Sequence, residues 1–218
     1  MFDSLESLLP ELRRCVSCDL REGRTQVVLP VGDPGSRVMV IGHGPSGTDD
    51  ASGIPYTGPA GEVLEDLLFQ AGLRRSQFWI ANLVNCWPWK DQGTTRVNRP
   101  PTASEVKTCT GLWLQREFQL IQPKVVVCLG GQTAQHFLGN KFKITESRGV
   151  WNDLPTASPY RALLDASAVV MAMLQPAYLI HLEQHAPQNK AATLEAMLND
   201  WREVKRVLEG GEVSLNAA

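Results

Sequence analysis

At 218 residues, with 43% hydrophobic and 20% charged side chains, the chain is long enough for one full core and has the composition of a soluble globular protein. Its formal net charge of -2 excludes a global basic field, so a nucleic-acid surface is expected only as a local patch. No apolar h-region follows Met1 and no run approaches about 18 apolar residues, so neither a signal peptide nor a membrane span is expected, and the expected location is cytoplasmic.

Residues 3–14 carry Leu5, Leu8, Leu9 and Leu12 at helical spacing and lead into Cys15-Val16-Ser17-Cys18. Residues 25–31 read as a short strand before the turn Gly32-Asp33-Pro34-Gly35. The run Val38-Met39-Val40-Ile41-Gly42 reads as a strand buried on both faces. A polar loop follows, holding His43, Asp49, Asp50 and Tyr56, before a helix over residues 60–71. Such a strand–loop–helix passage is where an α/β sheet places its binding site.

Residues 77–86 form a second apolar strand with Asn82 and Asn85 near its end. Residues 87–101 read as a loop in which Trp87 and Trp89 alternate with Lys90, Arg96 and Arg99, a mixture suited to phosphates and unstacked bases. Thr102-Ala103-Ser104-Glu105 can cap a helix running to about residue 119 and carrying Cys109. Residues 123–130 form a third core strand, followed by a helix through Phe137. Residues 143–149 make a polar-to-basic turn segment containing Arg148. A fourth strand over 168–174 ends at Gln175-Pro176-Ala177. The last helix spans about 189–208, and residues 210–218 read as a disordered tail behind a single domain of residues 1–209.

The order Gly42-x-Gly44-x-x-Gly47 matches a dinucleotide fingerprint in form. That fingerprint needs a helix that starts among the glycines, whereas Pro45 and Gly53-Ile54-Pro55 predict irregular chain until about Pro59. No nucleotide cofactor is therefore expected. Five cysteines are present, and Cys128 lies inside an apolar strand, as a core thiol does. Cys15, Cys18, Cys86 and Cys109 remain, enough for a tetrahedral zinc site or a cubane iron–sulfur cluster; their spacing does not separate the two.

Strands alternating with helices predict a three-layer α/β/α sandwich with a central, mainly parallel four-stranded sheet. The loop 43–50, Asn82 and Gln175 then converge at one edge of that sheet.

Several of these segments resemble the uracil-DNA glycosylase superfamily, in particular its iron–sulfur family 4. Gly42-His43-Gly44-Pro45-Ser46 is similar to the family's Gly-Glu-Ala-Pro-Gly, and Asp49-Asp50 to its Glu-Asp pair. Gly53-Ile54-Pro55-Tyr56-Thr57-Gly58-Pro59-Ala60-Gly61 resembles Gly-x-Pro-Phe-Val-Gly-x-Ala-Gly, and Asn82-Leu83-Val84-Asn85-Cys86-Trp87-Pro88 resembles Asn-Val-Val-Lys-Cys-Arg-Pro. Pro123-Lys124-Val125-Val126-Val127, Arg148-Gly149 and Gln175-Pro176-Ala177 follow in the family's order. The resemblance covers about residues 10–208 and implies a [4Fe–4S] cluster on the four cysteines.

It also implies a DNA glycosylase that takes a flipped-out nucleotide, from duplex or single-stranded DNA, and works as a monomer. Gly42 and Gly44 would floor the base pocket, Tyr56 would stack on the base and Asn82 would read its edge. Asp50, or else Asp49, would support the sugar cation or orient water. Lys90, Arg96, Arg99 and Arg148 would form the DNA patch. Two departures fall on the chemistry: His43 replaces the motif Glu, and Gln175 replaces the His before Pro-Ala. His43 can assist water attack, and Gln175 can still donate an uncharged hydrogen bond to the leaving base. These two departures, together with an Asn82 amide that can match cytosine as well as uracil and a Gly44 in place of Ala expected to enlarge the floor, make a base other than ordinary uracil, such as a bulky 5-modified cytosine, the expected preferred substrate. Conventional uracil excision, a catalytically weak DNA sensor and a zinc-stabilised metabolic enzyme are the alternatives.

Overall fold

The computed structural model describes residues 4–213 and residue 215. In chain order it contains α1 (Leu5–Arg13), β1 (Val31–Gly32), β2 (Val38–Gly42), α2 (Gly47–Ser52), α3 (Pro59–Gln70), β3 (Trp79–Asn82), β4 (Trp89–Gln92) and β5 (Thr95–Asn98). There follow α4 (Ala103–Cys109), α5 (Gln115–Ile121), β6 (Val125–Leu129), α6 (Gly131–Leu138), α7 (Ile144–Ser147), β7 (Trp151–Asp153), β8 (Val169–Met173), α8 (Ala177–His185) and α9 (Lys190–Leu208).

Strands β3, β2, β6 and β8 pair in parallel, and every one of their residues is buried. Uninterrupted Val, Ile and Met runs produce this because helices cover both faces of a parallel sheet. Leu64, Leu67 and Leu68 of α3 pack on one face with Leu179 of α8 and Met197, Trp201 and Val204 of α9. Phe118 of α5, Phe137 of α6 and Tyr160 pack on the other. A third cluster joins Leu8 and Leu12 of α1 to Cys86, Cys109 and Trp113.

Among the described residues the main sheet has six strands in the order β1-β3-β2-β6-β8-β7, not four. The two additions are antiparallel edges, β1 on β3 and β7 on β8, only two and three residues long. Elements that short carry no periodic signal. The strand expected over residues 25–31 pairs only from Val31 onward, and that expected over 77–86 leaves the sheet after Asn82.

The basic loop 87–101 is an antiparallel hairpin, β4 on β5, turning through Gly93. The helix expected over 102–119 is interrupted by a π-helical turn at Thr110–Leu114 and ends at Ile121. Helix α2 lies where irregular chain was expected. It starts at Gly47 because Ser46 and Asp49 form a capping box ahead of it, which outweighs the preceding Pro45.

Residues 211–213, part of the expected disordered tail, fold back on α9: Gly211 N–H donates to Arg206 O at 2.9 Å and Arg206 to Glu212 O at 2.7 Å. Residues 214 and 216–218 of that tail lie outside the described residues. Among the described residues no helix is long and apolar enough to cross a membrane.

Candidate active site and cysteine centre

The chain reverses its winding between β2 and β6, which are neighbours in the sheet although β3 to β5 intervene in sequence. The crevice beyond the C-terminal ends of these strands is the switch point of an α/β sheet. A single open cleft lies there. His43, Gly44, Ser46 and Asp49 from the loop after β2 line it, with Tyr56, Asn82, Trp87, Arg96, Asn98, Arg99, Gln132 and Gln175.

Register fixes the floor. Gly42 pairs with Asn82 across β2 and β3, and a Cβ on Gly42 would lie 2.2 Å from Asn82 Oδ1 and 2.4 Å from Tyr56 Oη. Only glycine leaves room for the carboxamide and the phenol to meet at this point. Asn82 is buried; burial also pushes the Tyr56 phenol far above its ordinary range, with the Asp49 carboxylate adding to the effect. The phenol therefore stays protonated and able to donate.

His43 is half-buried, and burial alone lowers its pKa below the ordinary 6.5, so its imidazole is neutral at neutral pH. Gln175 follows β8, and its Oε1 stands 3.6 Å from where a Cβ on Gly130 would be, which ties the end of β8 to the end of β6.

The two aspartates have separated. Asp49 Oδ2 accepts from Ser46 N–H at 2.8 Å and from its hydroxyl at 2.9 Å, while Oδ1 accepts from Thr57 N–H at 2.7 Å and from its hydroxyl at 3.0 Å. Asp49 lines the cleft with both oxygens committed. Asp50 does not line it. One helical step turns it about 100° away, where Oδ2 accepts from Thr25 N–H at 2.8 Å and Oδ1 is buried without a partner. The catalytic placement expected for Asp50 is thus not the one the fold adopts.

Three of the four expected DNA contacts make hydrogen bonds inside the protein, Arg96 among them through Gly23 O at 2.9 Å. Arg99 forms a two-pronged pair with Glu105 at 2.9 and 2.7 Å, which holds the hairpin to α4. Arg148 donates to Asp200 at 2.6 Å and to Ala196 O at 2.5 Å, pinning α9, and it lies away from the cleft. Arg96 lines the cleft, stacked 3.9 Å over the Trp89 ring. Lys90 is exposed on β4 outside the cleft lining.

Gly44 lines the cleft, but a Cβ there would meet Val84 Cγ2 at 2.9 Å and Pro88 at 3.5 Å. The space of the absent methyl is filled by these neighbours, so Gly44 does not enlarge the floor. Gln132 and Asn98 escaped the sequence reading. Gln132 carried a usable signal, since Gly130-Gly131 ends a core strand just as Gly42 does. Asn98 carried none; its Oδ1 accepts from the Trp87 indole at 2.7 Å only because the hairpin folds.

Cys15, Cys18, Cys86 and Cys109 line one pocket, with Arg24, Asn85 and Trp113. Among the described residues no three His, Cys, Asp or Glu side chains form a group that could hold a single metal ion. Two of the four sulfurs nevertheless have a side-chain N–H donor. Trp113 Nε1 reaches Cys15 at 3.2 Å, and Arg24 reaches Cys86 at 3.1 Å. At Cys18 and Cys109 the backbone of Leu20 and Asn85 acts to lower the thiol pKa. Cys128 has only burial acting on it. Burial and the neighbouring thiols raise Cys18, Cys86 (to about 11) and Cys109, while the donors pull the other way. Four cysteines around one pocket, two of them with N–H donors, are the donor set that a polynuclear iron–sulfur group takes as thiolates.

The model of the uracil DNA glycosylase superfamily matches residues 29–202. The Type-4 uracil-DNA glycosylase of Archaeoglobus fulgidus is 36% identical over 142 residues, covering 65% of this chain and 67% of the relative. That of Thermotoga maritima is 35% identical over 146 residues, 66% of this chain and 72% of the relative. A Type-5 uracil-DNA glycosylase of Pyrobaculum aerophilum is 32% identical over 118 residues, 47% of this chain and 48% of the relative. With a matched span that contains the whole parallel sheet and the cleft at its switch point, the chain belongs to the uracil-DNA glycosylase superfamily and is a DNA glycosylase.

Proposed function

We propose that this enzyme removes uracil from DNA, with a [4Fe–4S] cluster held by Cys15, Cys18, Cys86 and Cys109. The observation that carries the reading is the meeting of Asn82, Tyr56, His43 and Gln175 in one cleft. Uracil presents a donor, N3–H, beside an acceptor, O4, and one carboxamide satisfies both, with Asn82 Oδ1 accepting and Nδ2 donating. The names of the relatives favour uracil. One part of the case for a bulkier base, a larger floor at Gly44, is removed by Val84 and Pro88; the other part, His43 and Gln175 in place of the family's Glu and His, is what the assay below decides.

The target nucleotide is extruded from the stack, and its base enters beside Tyr56. As the C1′–N1 bond breaks, the electron pair leaves with the base and charge develops on its carbonyl oxygens. The Gln175 amide N–H donates to one of them, a weaker stabiliser than a charged group. Water then adds to the oxocarbenium-like C1′. His43 accepts the water proton, because it is the titratable group of the cleft lining that is both a base at neutral pH and not committed elsewhere. The cluster, when bound, supplies thiolate bonds that tie residues 15–18 to Cys86 and Cys109.

The test is an excision assay on otherwise identical oligonucleotides, duplex and single-stranded, bearing uracil, hypoxanthine or 5-modified cytosine. Turnover fastest on uracil supports the proposal. Turnover confined to a modified cytosine would replace uracil as the substrate, and tight DNA binding without turnover would make the protein a sensor.

A further inference from the structure

The segment 22–29, expected in part as a strand, runs between the cysteine centre and both walls of the cleft. Arg24 sits at its middle. One guanidinium nitrogen donates to Cys86 Sγ at 3.1 Å and the other to Cys15 O at 2.7 Å, so both arms of the fork end on the cysteine centre. On one side the segment holds the hairpin: Arg96 donates to Gly23 O at 2.9 Å and the Trp89 indole to Glu22 O at 3.4 Å. On the other it holds α2: Thr25 N–H donates to Asp50 at 2.8 Å, Gln26 to Ala51 O at 2.9 Å, and Leu29 N–H to Gly53 O at 3.1 Å.

The hairpin carries Arg96 and Asn98 into one wall of the cleft, and Asn98 in turn holds Trp87. Helix α2 starts in the loop that forms the other wall, with Ser46 and Asp49. Both walls therefore hang from one strap. Gly23 keeps that strap close to the hairpin: its φ is +74°, and a Cβ would come within 2.6 Å of the Trp89 ring.

We infer that Arg24 is a positioning residue that sets the spacing of the two cleft walls by anchoring the 22–29 strap to the cysteine centre. It touches neither substrate nor reacting atoms, and it acts through Gly23 on the hairpin and through Thr25 on Asp50. This gives the buried Asp50 a task, which its absence from the cleft lining leaves otherwise unexplained. A fork with two directed donors suits the task, whereas lysine offers one point of attachment. The inference rests on the reading that the cleft takes DNA and that the four cysteines hold a cluster.

The experiment compares wild type, Arg24→Ala and Arg24→Lys as cluster-loaded proteins on a fluorescein-labelled duplex containing one uracil. It measures KM, kcat, the duplex Kd and the visible absorbance per protein. Expected for Arg24→Ala is an unchanged chromophore intensity, KM and Kd raised about tenfold, and kcat lowered less than about threefold, with Arg24→Lys in between. Because a guanidinium on a ligating sulfur favours the reduced cluster, the reduction potential of Arg24→Ala should also fall.

Gly23→Ala is the second variant, since it displaces the strap from the hairpin without touching any sulfur. It should show the same rise in KM and Kd with the wild-type potential. An intact chromophore with unchanged KM and Kd in Arg24→Ala overturns the inference, as does a fall in kcat alone. If Arg24→Ala loses the chromophore, Gly23→Ala decides, and an unchanged Kd there overturns it. Should wild type bind the duplex but leave uracil in place, the uracil reading fails, while the Kd comparison still tests Arg24.

Discussion

Asp49 Oδ1 accepts hydrogen bonds from both the backbone N–H and the hydroxyl of Thr57, at 2.7 and 3.0 Å. The residue between the two segments they join is Tyr56, held at φ 57°, in the left-handed region that a bulky side chain adopts only under constraint. Arg75 supports the same turn from the other side, donating to Tyr56 O at 3.0 Å and to Pro55 O. The Asp49 carboxylate thus holds the turn that aims the Tyr56 phenol towards Asn82. Asp49→Ala is expected to cost about 2–4 kcal/mol of stability through the loss of charge-assisted hydrogen bonds. It should also slow excision about 100-fold through misplacement of Tyr56, with the duplex Kd within a factor of a few. Denaturant unfolding and single-turnover excision check this; unchanged excision would remove Asp49 from the positioning of Tyr56.

With His43 as the base proposed above, the pH profile has an acid limb. The pKa of His43 lies below 6.5 because burial disfavours the imidazolium, and the proposed mechanism uses the neutral form. Excision should thus persist as pH falls through 6.5 and be lost only below that, when the imidazole takes up its proton. His43→Gln should remove this limb and lower kcat about 100- to 10,000-fold. An acid limb that survives in His43→Gln would assign the titration to another group.

The cysteine centre predicts a colour. Replacing Cys15, Cys18, Cys86 or Cys109 with Ala should abolish the brown absorbance near ~400 nm that thiolate-bound iron–sulfur clusters give and zinc does not. Cys128→Ala should keep it, since that thiol lies in the parallel sheet on β6 away from the pocket. Protein purified without oxygen and colourless, with stoichiometric zinc, would replace the cluster by zinc.

Arg96 and Arg148 should part company. Arg96→Ala is expected to weaken DNA binding and to lower the salt slope by about 1 if the guanidinium meets one phosphate. Arg148→Ala leaves Asp200 buried without its partner, so it should destabilise the fold by about 3 kcal/mol and leave the slope unaltered. A lowered slope in folded Arg148→Ala would return that residue to the DNA surface.

Glu117 lies wholly buried, with Trp79 donating to Oε2 at 2.9 Å and Oε1 unpaired. Burial pushes its pKa up to about 8 from an ordinary 4.5, against the lowering effect of the indole. The native state therefore holds a proton that the unfolded chain releases, so this group's contribution is greatest below pH 4.5 and declines as pH rises to about 8. Glu117→Gln keeps an acceptor for Trp79 and removes the penalty. It should match wild type at pH 4 and exceed it at pH 8 by a margin on the order of 4 kcal/mol. Equal stability at both values would mean that the carboxylate is solvated in the native state.

Local chemistry made a large share of this protein legible from residue order. Val38–Ile41, Val125–Leu129 and Val169–Met173 are apolar without interruption, and such runs have few alternatives to a parallel sheet covered on both faces. Loops that follow such strands meet at the sheet edge, which is why residue order alone brings His43, Asn82 and Gln175 together. What only the tertiary structure decided are partnerships between groups distant in sequence. Asp49 and Asp50 are adjacent and chemically identical, yet one helical step sends the first to Thr57 and the second to Thr25. Arg148 meets Asp200 and Arg24 meets Cys86 across 52 and 62 residues, so nothing in their surroundings marked them as struts. Gly44 looked like added space in the sequence, and packing by Val84 cancelled it, because close-packed interiors fill a missing methyl from whichever neighbour the fold supplies.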